Sequence, residues 1–317
     1  WCNFESGYWN EPQRRGRLNK PRMEWLIHSM LQAELHEEVD LARLYHEYRR
    51  FADGKQAQVQ LTTLSGYANH YKELVSGSGA TPIARFGRQI APYDVTTLHP
   101  LALLIATSPS PDAEKSEMYG DLVSFLVRRA VCGLTTKNYN NFFLGTLRHL
   151  SKNGISPSVL RESLRSSSAD TFRWPDDAEF RTACYSAPLY PGRFDAQRAK
   201  AFLAELEGGL RSAARTEEFV PANLDHLDVD HLLPQSWYAY WPLGDGSVID
   251  VEEGSEVEVI ARSGIEMNSR QSAIAARQAA VRSLGNLSLL NLSVNRQVQN
   301  HPFKEKRDLF IANTNLR

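Results

Sequence analysis

The first two thirds of the chain carry apolar residues at the three- and four-residue spacing of amphipathic helices. From Met23 to Phe51 this spacing, with charged residues between the apolar ones, predicts one or two helices. The same pattern predicts helices over 56–75, 98–106, 118–134, 138–151 and 196–210. Glycine, serine and proline clusters at 77–79 and 108–111 interrupt it. Because no alternation of strands and helices precedes about residue 220, we predict an α-helical N-terminal domain.

Signals for β-strands appear only in the last third. The stretches 227–233 and 284–292 are short and apolar, and 247–260 alternates in the way typical of a hairpin. A helix is predicted around 269–284. The predicted fold class is therefore mainly α, with a helical domain over 1–215 and an α+β domain over 216–317. The second domain contains an insertion at about 236–283, and the boundary between the domains is predicted in the stretch from Gly208 to Pro221.

Composition is that of a globular protein with a sizeable core, since 42% of the 317 residues are hydrophobic. No apolar run approaches the roughly 20 residues needed to cross a bilayer, and no charged-then-apolar leader opens the chain. The cysteines, Cys2, Cys132 and Cys184, are widely spaced and indicate neither a zinc knuckle nor a disulfide framework. We expect a cytoplasmic protein. Because the chain begins with Trp1, we also expect it to be part of a longer protein.

Charge is segregated near the C-terminus although the net charge is only −1. The segment 244–258 is acidic and contains no lysine or arginine, whereas basic residues predominate from Arg262 onward. This indicates a local surface that faces phosphates. For Arg270, Arg277 and Arg282 the alternative is an ordinary solvated helix face.

An Asp-His pair, Asp230-His231, stands within the β-prone stretch and is followed by Leu-Leu-Pro-Gln. Since successive strand side chains point to opposite faces, one of the two can hold a metal while the other handles a proton. Histidine suits the proton transfer because its pKa is near neutral. Another such pair, Asp225-His226, lacks the Leu-Leu-Pro continuation and is interpreted as the strand approach or a surface turn.

Two asparagines lie on the elements that follow the first strand, a second strand and then a helix. Asn286 lies in the second apolar stretch, and Asn295 follows nine positions later (295 − 286 = 9), where the chain can turn helical. Asp230 and Asn295 offer only oxygen atoms, which suit Mg²⁺ or Mn²⁺ better than zinc. Asn300 and His301 remain alternatives for a further ligand. The candidates for contact with DNA phosphates are Arg296, Lys304 and Lys306.

This arrangement resembles the HNH, or ββα-metal, nucleases, and the string Asp-His-Leu-Leu-Pro-Gln is similar to that of the HNH domain in CRISPR effector nucleases. A resemblance over more of the chain is to the C-terminal half of GmrSD-type modification-dependent restriction enzymes and related phage-defence proteins of the SspE group. Its motifs are His231 with Pro234, then Gly285-Asn286-Leu287, then Asn295, Asn300, Phe303 and Lys306, and upstream Leu126 to Arg129, Thr136 to Asn140 and Pro175 to Tyr190.

The resemblance implies a divalent-metal-dependent DNA endonuclease that acts in restriction or antiviral defence. His231 would be the general base, Asp230 and Asn295 would hold one Mg²⁺ or Mn²⁺, and Asn286 would close the two-strand finger. One metal site implies nicking of one strand per visit. The nucleotide-binding sensor domain of the family, with its Asp-Gly-Gln-Gln-Arg-type motif, does not occur in this sequence. The competing hypothesis is a helical docking or DNA-binding module with a non-catalytic HNH finger.

Overall fold

The protein is described here by a computed structural model, which covers residues 4, 7–166, 169–213, 226–291 and 301–313. By its internal contacts the chain forms two compact units. The first comprises residues 1–129 and 134–175, and the second comprises residues 130–133 and 176–317. The fold is mainly helical, as predicted, with two small two-stranded sheets among the described residues.

The elements that begin the chain are helices and one hairpin. In order they are α1 (Gly7–Asn10), β1 (Pro12–Arg15), β2 (Leu18–Pro21), α2 (Arg22–Leu35), α3 (Leu44–Ala52), α4 (Ala57–Ser76), α5 (Pro82–Ile90), α6 (His99–Thr107), α7 (Asp112–Cys132), α8 (Tyr139–Asn153) and α9 (Pro157–Arg165). The helices predicted for this part of the chain are confirmed. None of the helices described, here or later in the chain, is both long and apolar enough to span a membrane.

The hairpin β1–β2 was not predicted, because its strands are short and polar. The two strands pair antiparallel with Arg15 opposite Leu18, and Gly16 makes the turn with a φ of +57°, a region that favours glycine. Arg15 ends β1 with only 8% of its surface exposed. A buried arginine on a short polar strand gives no apolar alternation from which a strand can be predicted.

The core of the first unit combines leucines with large aromatic side chains, of which Trp9, Tyr71, Phe86, Phe125 and Phe143 are almost fully buried.

One buried cation in this unit has a structural role. Arg129 donates from Nη1 to the carbonyl of Arg173 (2.7 Å), from Nη2 to that of Thr171 (3.0 Å), and from Nε to the hydroxyl of Tyr139 (2.9 Å). It therefore ties the loop before residue 175 to α7 rather than offering a nucleic-acid contact.

The second unit contains two strands within a helical chain. Its elements are α10 (Asp177–Ser186), α11 (Ala196–Ala213), β3 (Leu227–His231), α12 (Val251–Ser263), α13 (Ser269–Val281), β4 (Leu287–Asn291) and α14 (Phe303–Asn313). The predicted helices over 196–210 and around 269–284 are confirmed as α11 and α13. Short turns of 3₁₀ helix cover Trp237–Ala239 and Leu284–Asn286, so the second strand begins three residues later than predicted.

The hairpin predicted over 247–260 is wrong, since this segment forms α12. Asp250 caps the helix by accepting a hydrogen bond from the backbone N–H of Glu253 (2.8 Å), and the first turn is acidic, which complements the helix dipole. The alternation of valines misled the prediction. A strand would place Val251, Val257 and Val259 on the same face. In the structure only Val257 is buried, whereas Val251 and Val259 are each 64% exposed.

Strands β3 and β4 pair antiparallel, with Asp230 opposite Ser288 and His231 opposite Leu287. Helix α14 packs on this pair through Leu309 and Phe310, which contact the buried Leu290 of β4. The segment between the strands has its own small core. This core contains Trp237, Leu243, Ile249, Val257, Ile274 and Val281. The expected helix at Asn295 lies outside the described residues, and the domain limits 1–215 and 216–317 remain a prediction.

Candidate active site

Asp230 and His231 occupy the last two positions of β3, where the side chains of successive residues diverge. Both are buried, with 9% and 7% of their surface exposed. Their contacts lie on different elements. The Asp230 side chain meets α14, and the His231 side chain meets the segment around Tyr190. The strand end thus separates a carboxylate from an imidazole, as the alternation predicts.

The orientation of the His231 ring follows from one hydrogen bond. Its Nε2 lies 3.1 Å from the backbone carbonyl oxygen of Tyr190, and the two rings stack with centroids 5.5 Å apart. Since a carbonyl oxygen can only accept, Nε2 must carry the proton, and in the neutral ring Nδ1 is then the basic nitrogen. Burial lowers the pKa of His231, so the neutral ring is favoured at neutral pH. The residue is therefore prepared to accept a proton at Nδ1.

The carbonyl that orients His231 is itself fixed. The backbone N–H groups of Leu189 and Tyr190 both donate to the carbonyl of Arg282, at 2.8 and 3.3 Å. Arg282 follows α13 directly, so the insertion between the two strands supports the histidine through this segment. Sequence motifs do not reveal this contribution, because any residue type can supply a backbone carbonyl.

Asp230 forms a buried ion pair with Lys306 of α14. The ammonium donates to Oδ2 of Asp230 (3.1 Å) and to the backbone carbonyl of His231 (2.7 Å), and the lysine side chain is fully buried. This position differs from the exposed, phosphate-facing one predicted for Lys306. In the structure Lys306 instead joins α14 to the end of β3.

Burial and mutual attraction oppose each other in this pair. Burial raises the pKa of Asp230 and lowers that of Lys306, while each charge favours the ionised form of the other. A buried ion pair of this kind adds little net stability, but removing one partner leaves the other charge uncompensated. Asp230 is thus an anionic oxygen donor that already has a cation against it.

Asn286 joins the turn before β4 to the turn after β3. Its Oδ1 accepts from the backbone N–H of Leu233 (2.6 Å), and its Nδ2 donates to the carbonyls of Leu233 and Val281 (both 2.9 Å). The backbone N–H of Leu232 also donates to the carbonyl of Asn286 (2.9 Å). The side chain is therefore fully engaged in holding the two loops together.

Substituting Asn286 by alanine is expected to destabilise the second unit by about 2–4 kcal/mol, since three buried or partly buried backbone groups lose their partner. Urea unfolding followed by circular dichroism measures the change. Asn286→Asp is the matched variant, because it keeps the acceptor for Leu233 but replaces both donors by oxygen. A wild-type midpoint in both variants would contradict the bridging role.

The remaining site residues are only partly described. Asn295, Arg296 and Asn300 lie outside the described residues. His301 is exposed, and its Nδ1 lies 3.2 Å from a carboxylate oxygen of Glu305. Lys304 is exposed on α14, as the phosphate role requires.

Arg270, Arg277 and Arg282 each have a structural partner, and for Arg282 it is a carboxylate oxygen of Glu258 at 3.7 Å. Arg270 forms an ion pair with Glu253, and Arg277 donates to the carbonyls of Trp241 (2.8 Å) and Pro242 (2.6 Å). These contacts brace the insertion.

The donors present at the strand end suit a hard divalent cation. Asp230 supplies two carboxylate oxygens, of which Oδ2 accepts a hydrogen bond from the Lys306 ammonium. Over the part of the chain that the structure describes, no group of three histidine, cysteine, aspartate or glutamate side chains converges. The predicted ligand set differs from such a group, because it combines one carboxylate with the side-chain oxygens of asparagines. The described half of the set therefore fits Mg²⁺ or Mn²⁺ better than zinc.

Comparison with known families agrees with these motifs. Residues 174–316 match the family model described as GmrSD restriction endonucleases, C-terminal domain. The resemblance to GmrSD-type enzymes is thereby confirmed for this region, which contains β3, β4 and α14. No curated protein and no solved structure matches the chain.

Proposed function

We propose that the chain, with its GmrSD-type C-terminal region, is the DNA-cleaving part of a restriction or anti-phage enzyme. The activity is hydrolysis of phosphodiester bonds at an HNH, ββα-metal site built from β3, β4 and α14. One observation carries the proposal. His231 stands beside an anionic oxygen donor, with Nε2 bound to a backbone carbonyl and Nδ1 left as the base.

In the proposed reaction, neutral His231 accepts a proton at Nδ1 from a water molecule whose oxygen attacks the scissile phosphorus. The bond from phosphorus to the 3′ oxygen breaks, and that oxygen takes a proton from solvent. Asp230 and Asn295 are the proposed ligands of a single Mg²⁺ or Mn²⁺, with Asn300 or His301 as a further one. The bound cation would supply electrostatic stabilisation of the charge that develops on the phosphate.

The proposed partners follow from the same family resemblance. The substrate is duplex DNA, foreign or phage DNA in the defence role, and one site cuts one strand at each visit. The family resemblance implies that target sensing and nucleotide binding are carried out by an N-terminal nucleotide-binding domain of the same protein.

Incubation with supercoiled plasmid tests the function most directly. With Mg²⁺ or Mn²⁺ we expect nicked circles to appear before linear DNA, and with EDTA we expect no product. If the protein instead slows the migration of the plasmid on a gel but cleaves it under none of the metal conditions, the non-catalytic DNA-binding alternative is supported.

Lys304 provides a test of the DNA-binding face. If it contacts a phosphate, Lys304→Ala should make the log-log slope of affinity against salt shallower by about 0.9, and should weaken unrelated DNA sequences equally. The neighbour on the same helix is the control. Asp230→Ala with Lys306→Met should leave the slope unchanged, because it removes a buried ion pair that faces no phosphate and leaves no uncompensated charge. Fluorescence anisotropy over a salt series measures both, and an unchanged slope for Lys304→Ala would show that Lys304 contacts no phosphate.

A further inference from the structure

A cavity of about 400 Å³ lies in the first unit and is partly open to solvent. Arg15, Trp25, His28, Gln32, Thr97 and Leu101 are among the residues that line it. Its volume falls in the range of small-molecule sites, roughly 300–1,000 Å³. The site proposed above lies in the other unit, so this cavity needs a separate explanation.

Arg15 is a buried cation with unused hydrogen-bond donors. Its Nη2 donates to the hydroxyl of Tyr71 and to Nδ1 of His99 (3.0 Å), and its Nε is buried without a partner. Burial first, and then the charge of Arg15, hold the pKa of His99 well below its usual range, so His99 is neutral and accepts this hydrogen bond. A guanidinium has five N–H donors, and both of these hydrogen bonds come from one nitrogen.

The charge of Arg15 has no direct carboxylate partner among the residues that are described. The ring of Trp25 lies 4.7 Å from the guanidinium carbon and that of Tyr71 lies 5.6 Å away, so aromatic faces provide part of the stabilisation. Asp94 acts on Arg15 only as a weaker, more distant charge. A buried cation without a paired anion is costly, and a bound anion would offset that cost.

The walls of the cavity combine polar and apolar groups. His28 has its Nε2 against the carbonyl of Val39 (3.1 Å), and burial lowers its pKa, so it stays neutral. Gln32 and Thr97 add uncharged hydrogen-bonding groups, while Leu101 adds an apolar surface. Glu38, which is exposed, is the acidic residue of the lining. Inside its rim the cavity therefore favours an anion with a compact organic body.

We propose that this cavity binds a small anionic organic molecule, whose phosphate or carboxylate group pairs with Arg15. Its organic body lies against Trp25 and Leu101. The proposal does not depend on the nuclease assignment, because every residue that carries it belongs to the first unit.

Calorimetry on the full chain at fixed ionic strength tests the proposal with four probes. Inorganic phosphate and acetate distinguish the two anionic groups, and deoxyadenosine monophosphate and uncharged deoxyadenosine test the organic body. Three variants test the location. Thr97→Glu adds a negative charge to the lining at an exposed residue, and Glu38→Gln removes one. The control is Thr62→Glu, which adds the same charge at an exposed position of α4 outside the lining.

We expect phosphate, acetate or both to bind, and the monophosphate to bind more tightly than deoxyadenosine. Thr97→Glu should weaken the anions about tenfold, Glu38→Gln should tighten them several-fold, and Thr62→Glu should leave affinity unchanged, because a charge acts strongly only at short range. Failure of both phosphate and acetate to bind would overturn the proposal. Equal anion affinity in Thr97→Glu and Thr62→Glu would overturn it too, since the anion would then bind elsewhere.

Discussion

Replacement of His231 is expected to lower plasmid cleavage by about 10²–10⁴-fold, because a positioned general base contributes a factor of that size. Two variants separate chemistry from folding. His231→Ala removes the ring, whereas His231→Gln retains a side-chain N–H that can donate to the carbonyl of Tyr190 but provides no base. Both should be inactive, and the glutamine variant should keep the wild-type thermal unfolding temperature more closely.

The matched control is His226→Ala, which changes the histidine of the other Asp-His pair at an exposed position. It should cleave at the wild-type rate. Cleavage by His231→Gln at that rate would refute the assignment of the base.

The pH profile gives an independent check on His231. Only the neutral ring accepts a proton, so the cleavage rate should fall as the pH drops through the pKa of His231 in the folded protein. Because burial lowers this pKa, the fall should come at a lower pH than the value of about 6.5 for an unperturbed histidine. A rate that already halves above pH 7 would contradict the buried, neutral ring.

The parts of the fold that depend on local spacing are predictable from the sequence. Helices such as α4 and α8 follow from apolar residues three and four apart. Strand β3 follows from the β-prone stretch 227–233, although it ends at His231, two residues earlier than predicted. The alternation of apolar and polar residues over 247–260 predicts strands less reliably. There the Asp250 cap and an acidic first turn favour a helix, and the segment forms α12. A local pattern therefore locates elements, while capping chemistry decides between competing patterns.

The contacts that complete the site are long-range and could not be predicted in this way. The carbonyl of Tyr190 is 41 positions from His231, and Lys306 is 76 positions from Asp230. One signal for Lys306 exists. It stands three and four residues before Leu309 and Phe310, which places it on the helix face that packs against β4. A lysine on an apolar face needs a buried anion, and Asp230 provides it.

Loss of Asp230 should impair both metal binding and stability. Asp230→Ala removes the carboxylate donor, so we expect weaker Mn²⁺ binding and little cleavage. It also leaves the ammonium of Lys306 buried without its anion, so we expect a loss of stability of about 3–5 kcal/mol. Asn295→Ala should also weaken Mn²⁺ binding, through a lost oxygen ligand. Calorimetry with Mn²⁺ and unfolding in urea measure the two effects separately.

The double variant Asp230→Ala with Lys306→Met separates these effects, because it removes both buried charges together. Stability should return most of the way to wild type, since an apolar side chain of similar length replaces an ion pair whose net contribution is small. Mn²⁺ affinity and cleavage should stay low, because the carboxylate is still missing. Asp230→Ala with Lys304→Met is the matched control, and it should remain as unstable as the single variant, because Lys304 is exposed on the same helix. Wild-type Mn²⁺ affinity in the double variant would exclude Asp230 as a ligand, and equal stability of the two double variants would contradict the buried pair.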